Sequence, residues 1–134
     1  MEEINNKVIL ESNLSEGQLG LWLIQNKEPS STAYNTFFSV KFNNDIEIDK
    51  LFEFSKWLSK KHPILCTTFS ETPESVKMKL NPDSNIHFEV LHLENSEEVK
   101  KKFEDEVNTA INLKAGPISK IYLAVTRSYE KYML

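Results

Sequence analysis

The stretch Lys61-His62-Pro63-Ile64-Leu65-Cys66-Thr67-Thr68-Phe69 lies where one periodicity gives way to another. Before it, Leu51, Phe54 and Leu58 recur at helical spacing with Trp57 beside them, which predicts a helix from Asp49 to about Lys61. His62-Pro63 ends that helix, because a residue before proline avoids the helical region. After the proline, residues 64–69 are apolar and β-branched, and Val76, Met78 and Leu80 then alternate with Lys77 and Lys79. Two strands joined by a turn near Pro73 are the expectation.

Upstream, residues 7–10 are apolar enough for an entering strand or extended arm. Ser15 then reads as a helix N-cap, Gln18 closes a capping box, and the helix should run to about Lys27 before Pro29. Residues 35–43 alternate Phe38, Val40 and Phe42 with Ser39 and Lys41, the pattern of a half-buried strand. Downstream, Ile86, Phe88 and Val90 suggest another strand. Ser96 is the expected cap of a third helix, with Val99, Phe103, Val107, Ala110 and Ile111 down one face and Gly116-Pro117 at its end. Ile121, Leu123 and Val125 form one face of a further strand, and residues 127–131 make a hairpin turn into Tyr132-Met133-Leu134. The order of elements predicts an α/β (α+β) sandwich, a mixed β-sheet with about three helices, in one unit spanning residues 1–134 without repeats or linkers.

Composition narrows the function classes. With 40% hydrophobic and 27% charged residues the chain can build a core, and a net charge of -4 gives it no pull toward nucleic acid or anionic membranes. The lone Cys66 cannot make an internal disulfide, no charged-then-apolar leader opens the sequence, and no apolar run is long enough to span a bilayer, so a cytoplasmic protein is expected. Metal-ligand spacings, a G-x-S-x-G elbow and a glycine-rich phosphate loop do not occur. His62 is expected to cap or pack at a helix end, and His87 and His92 to face solvent in or beside a strand, without a carboxylate at a helpful spacing. Cys66, placed in a strand, is expected to be a buried structural thiol.

Three stretches carry a family resemblance. Ser15-Glu16-Gly17-Gln18-Leu19-Gly20-Leu21-Trp22-Leu23-Ile24 resembles the first signature of nonribosomal peptide synthetase condensation domains, S-x-A-Q-x-R-L/M-W/Y-x-L, with Ser15, Gln18, Leu21 and Trp22 matching and Gly20 in place of arginine. The stretch from Lys61 to Phe69 resembles the second, R-H-E-x-L-R-T-x-F: His62, Leu65, Thr67 and Phe69 match, Lys61 keeps the charge, and Pro63 and Cys66 depart. Residues 111–121 resemble the family's "dL..gPl.r..l" stretch, in which a helix ends and a strand enters the core.

The resemblance implies one lobe of a chloramphenicol acetyltransferase-like fold, two lobes forming a V around a tunnel. It implies a parent that forms amide bonds between acyl thioesters and amines carried on the phosphopantetheine arms of carrier protein domains, with no cofactor bound by the domain itself. The family's catalytic H-H-x-x-x-D-G motif is absent from this sequence and is expected just beyond Leu134. The chain is therefore expected to be an incomplete first lobe, inactive alone, with no catalytic, cofactor or metal residue of its own. Ser15, Gln18, Leu21, Trp22, Lys61, His62, Leu65, Thr67 and Phe69 are expected to be structural signature residues. In the family an arginine of the second signature pairs with the aspartate of the catalytic loop; Lys61 could keep one charge there and Cys66 could not. Two alternatives stand beside this reading: an interaction module, either a degenerate condensation-like domain that recruits a partner or a stand-alone lobe that dimerises, and a related O-acyltransferase fragment. A strand stopping at Leu134 would leave a sheet edge uncovered, and a homo-oligomer or strand exchange is expected to cover it.

Overall fold

Backbone pairing sorts the strands into two sheets. The structure is a computed structural model that describes residues 10–80 and 82–134. In chain order the elements are β1 (Leu10–Asn13), α1 (Glu16–Lys27), β2 (Val40–Lys41), α2 (Ile48–Lys61), a 3₁₀ turn (Pro63–Cys66), β3 (Thr68–Glu71), β4 (Val76–Leu80), β5 (His87–Leu93), α3 (Ser96–Val107), β6 (Lys120–Thr126) and β7 (Lys131–Met133). The smaller sheet has the order β1-β4-β3, all antiparallel, and the larger β2-β7-β6-β5. In the larger sheet only β5 and β6 run parallel, and α3 makes the crossover that such a pair requires.

β6 is the centre of the larger sheet, and both its faces are covered. Glu89, Leu91 and Leu93 lie in register with Tyr122, Ala124 and Thr126, so these residues share a face. On it Tyr122 and Ala124 pack with Val99 and Phe103 of α3, joined by Leu91, Leu93, Tyr132 and Leu134. The opposite face carries Phe88 beside Ile121 and Val90 beside Leu123, which is 0% exposed. Here α2 approaches: Phe52 meets the Phe88 ring edge-on at 5.5 Å. Ser55 and Ser59 are both buried, and the Ile86 backbone N–H donates to Ser59 Oγ at 2.9 Å. Small hydroxyl residues on α2 bring helix and sheet close, and a buried amide finds its partner there.

Several expectations need correction. The strand over 35–43 shrinks to Val40–Lys41, with Phe38 70% exposed, because the segment before it is drawn elsewhere: Asn35 Nδ2 donates to the carbonyls of Val107, the last residue of α3, and of Thr109 just past it, each at 3.0 Å. Those carbonyls lack helical partners, and a side-chain amide satisfies them. The strand over 64–69 begins only at Thr68, since Pro63 initiates a 3₁₀ turn in which Thr67 N–H bonds back to Ile64. Cys66 is therefore in that turn and half-buried. The third helix is capped by Asn95, whose Oδ1 accepts from the Glu97 and Glu98 N–H groups, and it stops at Val107, leaving Ala110, Ile111 and Gly116-Pro117 in the following loop. The inward face of α2 is Ser55 and Ser59, while Phe54 and Trp57 are 50% and 51% exposed. β6 is buried on two faces rather than one. Of the proposed arm over 7–10, residues 7–9 lie outside the described residues and Leu10 opens β1.

The helix from Ser15, the β3–β4 and β6–β7 hairpins and the mixed sheet stand as expected. Ser59 Oγ both accepts from Ile86 N–H and donates to the Ser55 carbonyl at 2.7 Å, whereas Ser55 Oγ bonds only within its own helix, to Phe52 O. Ser59→Ala should thus strand a buried donor and cost about 1–3 kcal/mol, and Ser55→Ala clearly less. Urea unfolding of the two variants against the wild-type chain measures the difference.

Candidate functional site

The three signature stretches, far apart in sequence, meet at one place. In the first, Ser15 Oγ accepts from Gln18 N–H at 3.2 Å and Gln18 Oε1 from Ser15 N–H at 2.9 Å, a reciprocal box that fixes the start of α1. One turn on, Trp22 is the buried residue of α1, at 3% exposure. Its ring meets Phe69, the last residue of the second stretch, at 5.9 Å between centroids. Lys114 of the third stretch places its ammonium 5.5 Å from the Trp22 ring centre and bonds Glu71 at 3.1 Å. The backbone joins the same elements, with Phe69 N–H donating to Leu113 O at 2.9 Å.

The third stretch reaches this junction through a tight turn. Asn112 Oδ1 accepts from Lys114 and Ala115 N–H groups, each at 3.0 Å, and Gly116 N–H donates to Asn112 O at 2.8 Å. Gly116 has φ +68°, and a Cβ there would stand 3.1 Å from Thr68 Cγ2. Glycine is required here both by conformation and by the close approach of β3. A shallow groove of about 270 Å³ opens beside Trp22, bounded by Gln25, Asn26, Pro29 and residues 110–114.

The remaining signature residues divide by environment. Thr67 is 1% exposed and its Oγ1 donates to Ile64 O at 2.9 Å, holding the 3₁₀ turn that carries half-buried Leu65. His62 caps α2 through its backbone N–H to Leu58 O, and its side chain is exposed. Lys61 lies over the Trp57 ring at 4.8 Å, on the outer face of α2, and Leu21 is 45% exposed. The structure thus gathers Trp22 and Phe69 into the junction, with Ser15 and Gln18 fixing the helix that carries Trp22, and leaves Lys61, His62 and Leu21 at the surface. Lys114, Leu113 and Gly116 complete the junction; their stretch was legible in the sequence, but their contact with Trp22 and Phe69 was not.

Titratable residues also gather on and beneath β5. His87 Nε2 lies 3.2 Å from Glu89 Oε2, which corrects the expectation that His87 has no carboxylate at a useful spacing: alternation along β5 puts both on one face. His92 is exposed on the other face. Beneath His87, and edge-on to its ring at 5.9 Å, Tyr122 is hydrogen-bonded to Glu106. Burial, the bond to Glu106 and that carboxylate's charge raise the Tyr122 hydroxyl above its usual 10.0. For Glu106 burial alone would raise the carboxyl, but bonds from Lys102 and Tyr122 and the charges of Lys102 and Lys120 outweigh it and hold it below 4.5. Among the described residues no cluster of three or more His, Cys, Asp or Glu could hold a metal ion. No described helix is long and apolar enough to cross a membrane.

Buried Trp22 against half-buried Phe69 joins a capped helix to a three-stranded sheet, beside a four-stranded sheet with one parallel crossover, and this is an α/β architecture. Comparison with known proteins gives the family. The Condensation domain model matches residues 10–134, and the chain belongs to that family. The chain is 24% identical over 116 residues to polyketide synthase PksN of Bacillus subtilis, covering 85% of this chain and 2% of the relative. It is 25% identical over 119 residues to a linear gramicidin synthase of Brevibacillus parabrevis, covering 84% of this chain and 2% of the relative. The fold matches the condensation domain of the Monacolin K polyketide synthase MokA with a TM-score of 0.83 at 18% identity, over 96% of this chain and 30% of that one. The starter condensation domain of rhizomide synthetase RzmA matches at 0.79 and 19% identity, over 92% of this chain and 31% of that one. The expected family and fold class are therefore as read from the sequence.

Two outcomes test this site. Gly116→Ala forces a left-handed conformation on alanine and presses a methyl group onto Thr68, and should destabilise the chain by roughly 1–3 kcal/mol in thermal or urea unfolding. The Glu106–Tyr122 bond sets a pH profile. Glu106 is depressed in the folded chain, so its contribution is present above pH 4.5 and fades as the pH falls through its lower folded value. Tyr122 is raised, so its contribution is complete below pH 10.0 and fades as the pH climbs toward its higher folded value. Urea midpoints measured across pH should show both declines, and Tyr122→Phe should flatten the alkaline one and weaken the acidic one.

Proposed function

We propose that residues 10–134 form the first-lobe portion of a condensation domain that joins carrier-bound substrates through an amide bond. The observation that carries the reading is the convergence of all three signature stretches on Trp22, Phe69 and Lys114 within a chain matched by the family model from residue 10 to its last residue. The chain spans about 2–3% of the curated relatives and about 30% of the solved condensation domains it resembles, so the activity belongs to a larger unit.

In that unit the substrates are an acyl thioester and an amine, each held on the phosphopantetheine arm of a carrier protein domain. A thioester is already activated, so the domain contributes mainly by holding two tethered groups in reacting geometry and by placing a histidine beside the attacking nitrogen. This chain has no His-His pair, and its three histidines are a helix cap and two exposed strand residues. None of the three lines the groove beside Trp22. The role of these residues is to build one wall of the lobe.

The coding sequence after Leu134 and an assay test the reading together. An H-H-x-x-x-D-G motif is expected within the next few codons. The longer chain should form amide product from carrier-bound thioesters, and the 134-residue chain none above background. Absence of the motif, or no product from a folded longer chain, would overturn the catalytic parentage. A second reading, an interaction module that self-associates through a sheet edge, is favoured by β5, a seven-residue strand at the end of the sheet order with exposed His87, Glu89 and His92.

A further inference from the structure

Helix α2 has two long faces, and the chain uses one. Ser55 and Ser59 are buried toward β5, whereas Phe54 and Trp57 on the other side have half their surface in water and stack on each other at 5.6 Å. Lys61 lies over the Trp57 ring on the same side. Side chains at positions 54, 57 and 61 line up along one stripe of a helix, so this is a continuous ledge rather than scattered exposure.

The charges around the ledge are ordered along the helix. Glu47, Asp49 and Glu53 outnumber the single cation Lys50 in its first half, and Lys56, Lys60 and Lys61 stand in its second. Glu47 bonds Lys50 and Glu53 bonds Lys56 within the helix, while Lys60 and Lys61 have no carboxylate partner among the described residues. A helix that is acidic first and basic last is complementary to itself when two copies run antiparallel. A two-fold axis beside Trp57, at the level midway between Glu53 and Lys60, would bring the four rings together. Residues seven apart share a helix side, so Glu53 of one copy then faces Lys60 of the other, twice over by symmetry.

We propose that the Phe54–Trp57 face of α2 is a self-association surface, and that its occupant is the same face of a second copy of this chain, packed antiparallel. The aromatic rings supply the apolar centre, and the two symmetric Glu53–Lys60 pairs form the rim that fixes direction and register. This surface is separate from the β5 edge, on which the second reading above rests, and it leaves the signature junction uncovered.

The test is the association constant of the 134-residue chain by sedimentation equilibrium, with circular dichroism to confirm that each variant folds. The wild-type chain should form dimers, and Trp57→Ser should weaken them by at least about tenfold, a loss of about 1.4 kcal/mol. Glu53→Lys and Lys60→Glu should each weaken self-association, because each places like charges in both rim pairs. An equal mixture of the two variants should regain wild-type affinity, since each then meets the charge it lacks. A wild-type chain that stays monomeric at the highest soluble concentration overturns both this proposal and edge pairing. A wild-type dimer that persists unchanged in folded Trp57→Ser, or a mixture no tighter than the single variants, overturns the helix surface and leaves edge pairing standing.

Discussion

The position of β6 is the constraint on which the rest of the structure depends. It has β5 on one side and β7 on the other, and Leu123 and Ala124 on its opposite faces are both 0% exposed. A strand covered on both faces needs a layer above and a layer below. The layer above is α3, which must be a crossover because β5 and β6 are parallel. The layer below is α2, which comes close because serines rather than bulky residues face the sheet at positions 55 and 59. The Ile86 amide bonded to Ser59 locks that approach, and its loss would leave a buried donor in a place water does not reach.

The signature junction is a second, smaller constraint. Trp22 ties α1 to Phe69 of the three-stranded sheet, and Lys114 and Gly116 bring the loop before β6 against the same elements. Because the loop leads directly into β6, the junction couples the small sheet to the large one. Its residues are of packing type: an aromatic pair, a capping box, a left-handed glycine and a lysine over a ring. Together these contacts fix where α1, the small sheet and the loop before β6 meet.

The surface shows what this arrangement leaves unfinished inside the chain. Phe37 and Phe38, the outer rings of α2 and Leu19, Leu21, Leu23 and Ile24 of α1 all keep 40% or more of their area exposed. Single exposed apolar residues are common, but a stripe along α2, several apolar residues around α1 and a seven-residue strand at the end of the sheet order are surfaces that other protein can cover.

The sequence by itself determined the local elements whose cause is local. Ser15 and Gln18 form a capping box within four residues, Pro63 closes α2 from one position away, and alternation of Val76, Met78 and Leu80 makes a strand wherever it pairs. It also determined the family, because the signatures are read as ordered short patterns. Tertiary structure alone decided what depends on distant partners. Phe38 and Phe42 alternate like a strand, yet most of that segment goes unpaired because Asn35 is held by the end of α3, 72 and 74 residues away. The pattern Leu51, Phe54, Leu58 names an apolar stripe on α2, but burial fell to Ser55 and Ser59, since the sheet's closeness rewards small residues with hydroxyls that can meet the Ile86 amide. Trp22, Phe69 and Lys114 carry no sign in the sequence that they touch, because contact among three stretches is set by the path of the whole chain, and only the folded molecule has that path.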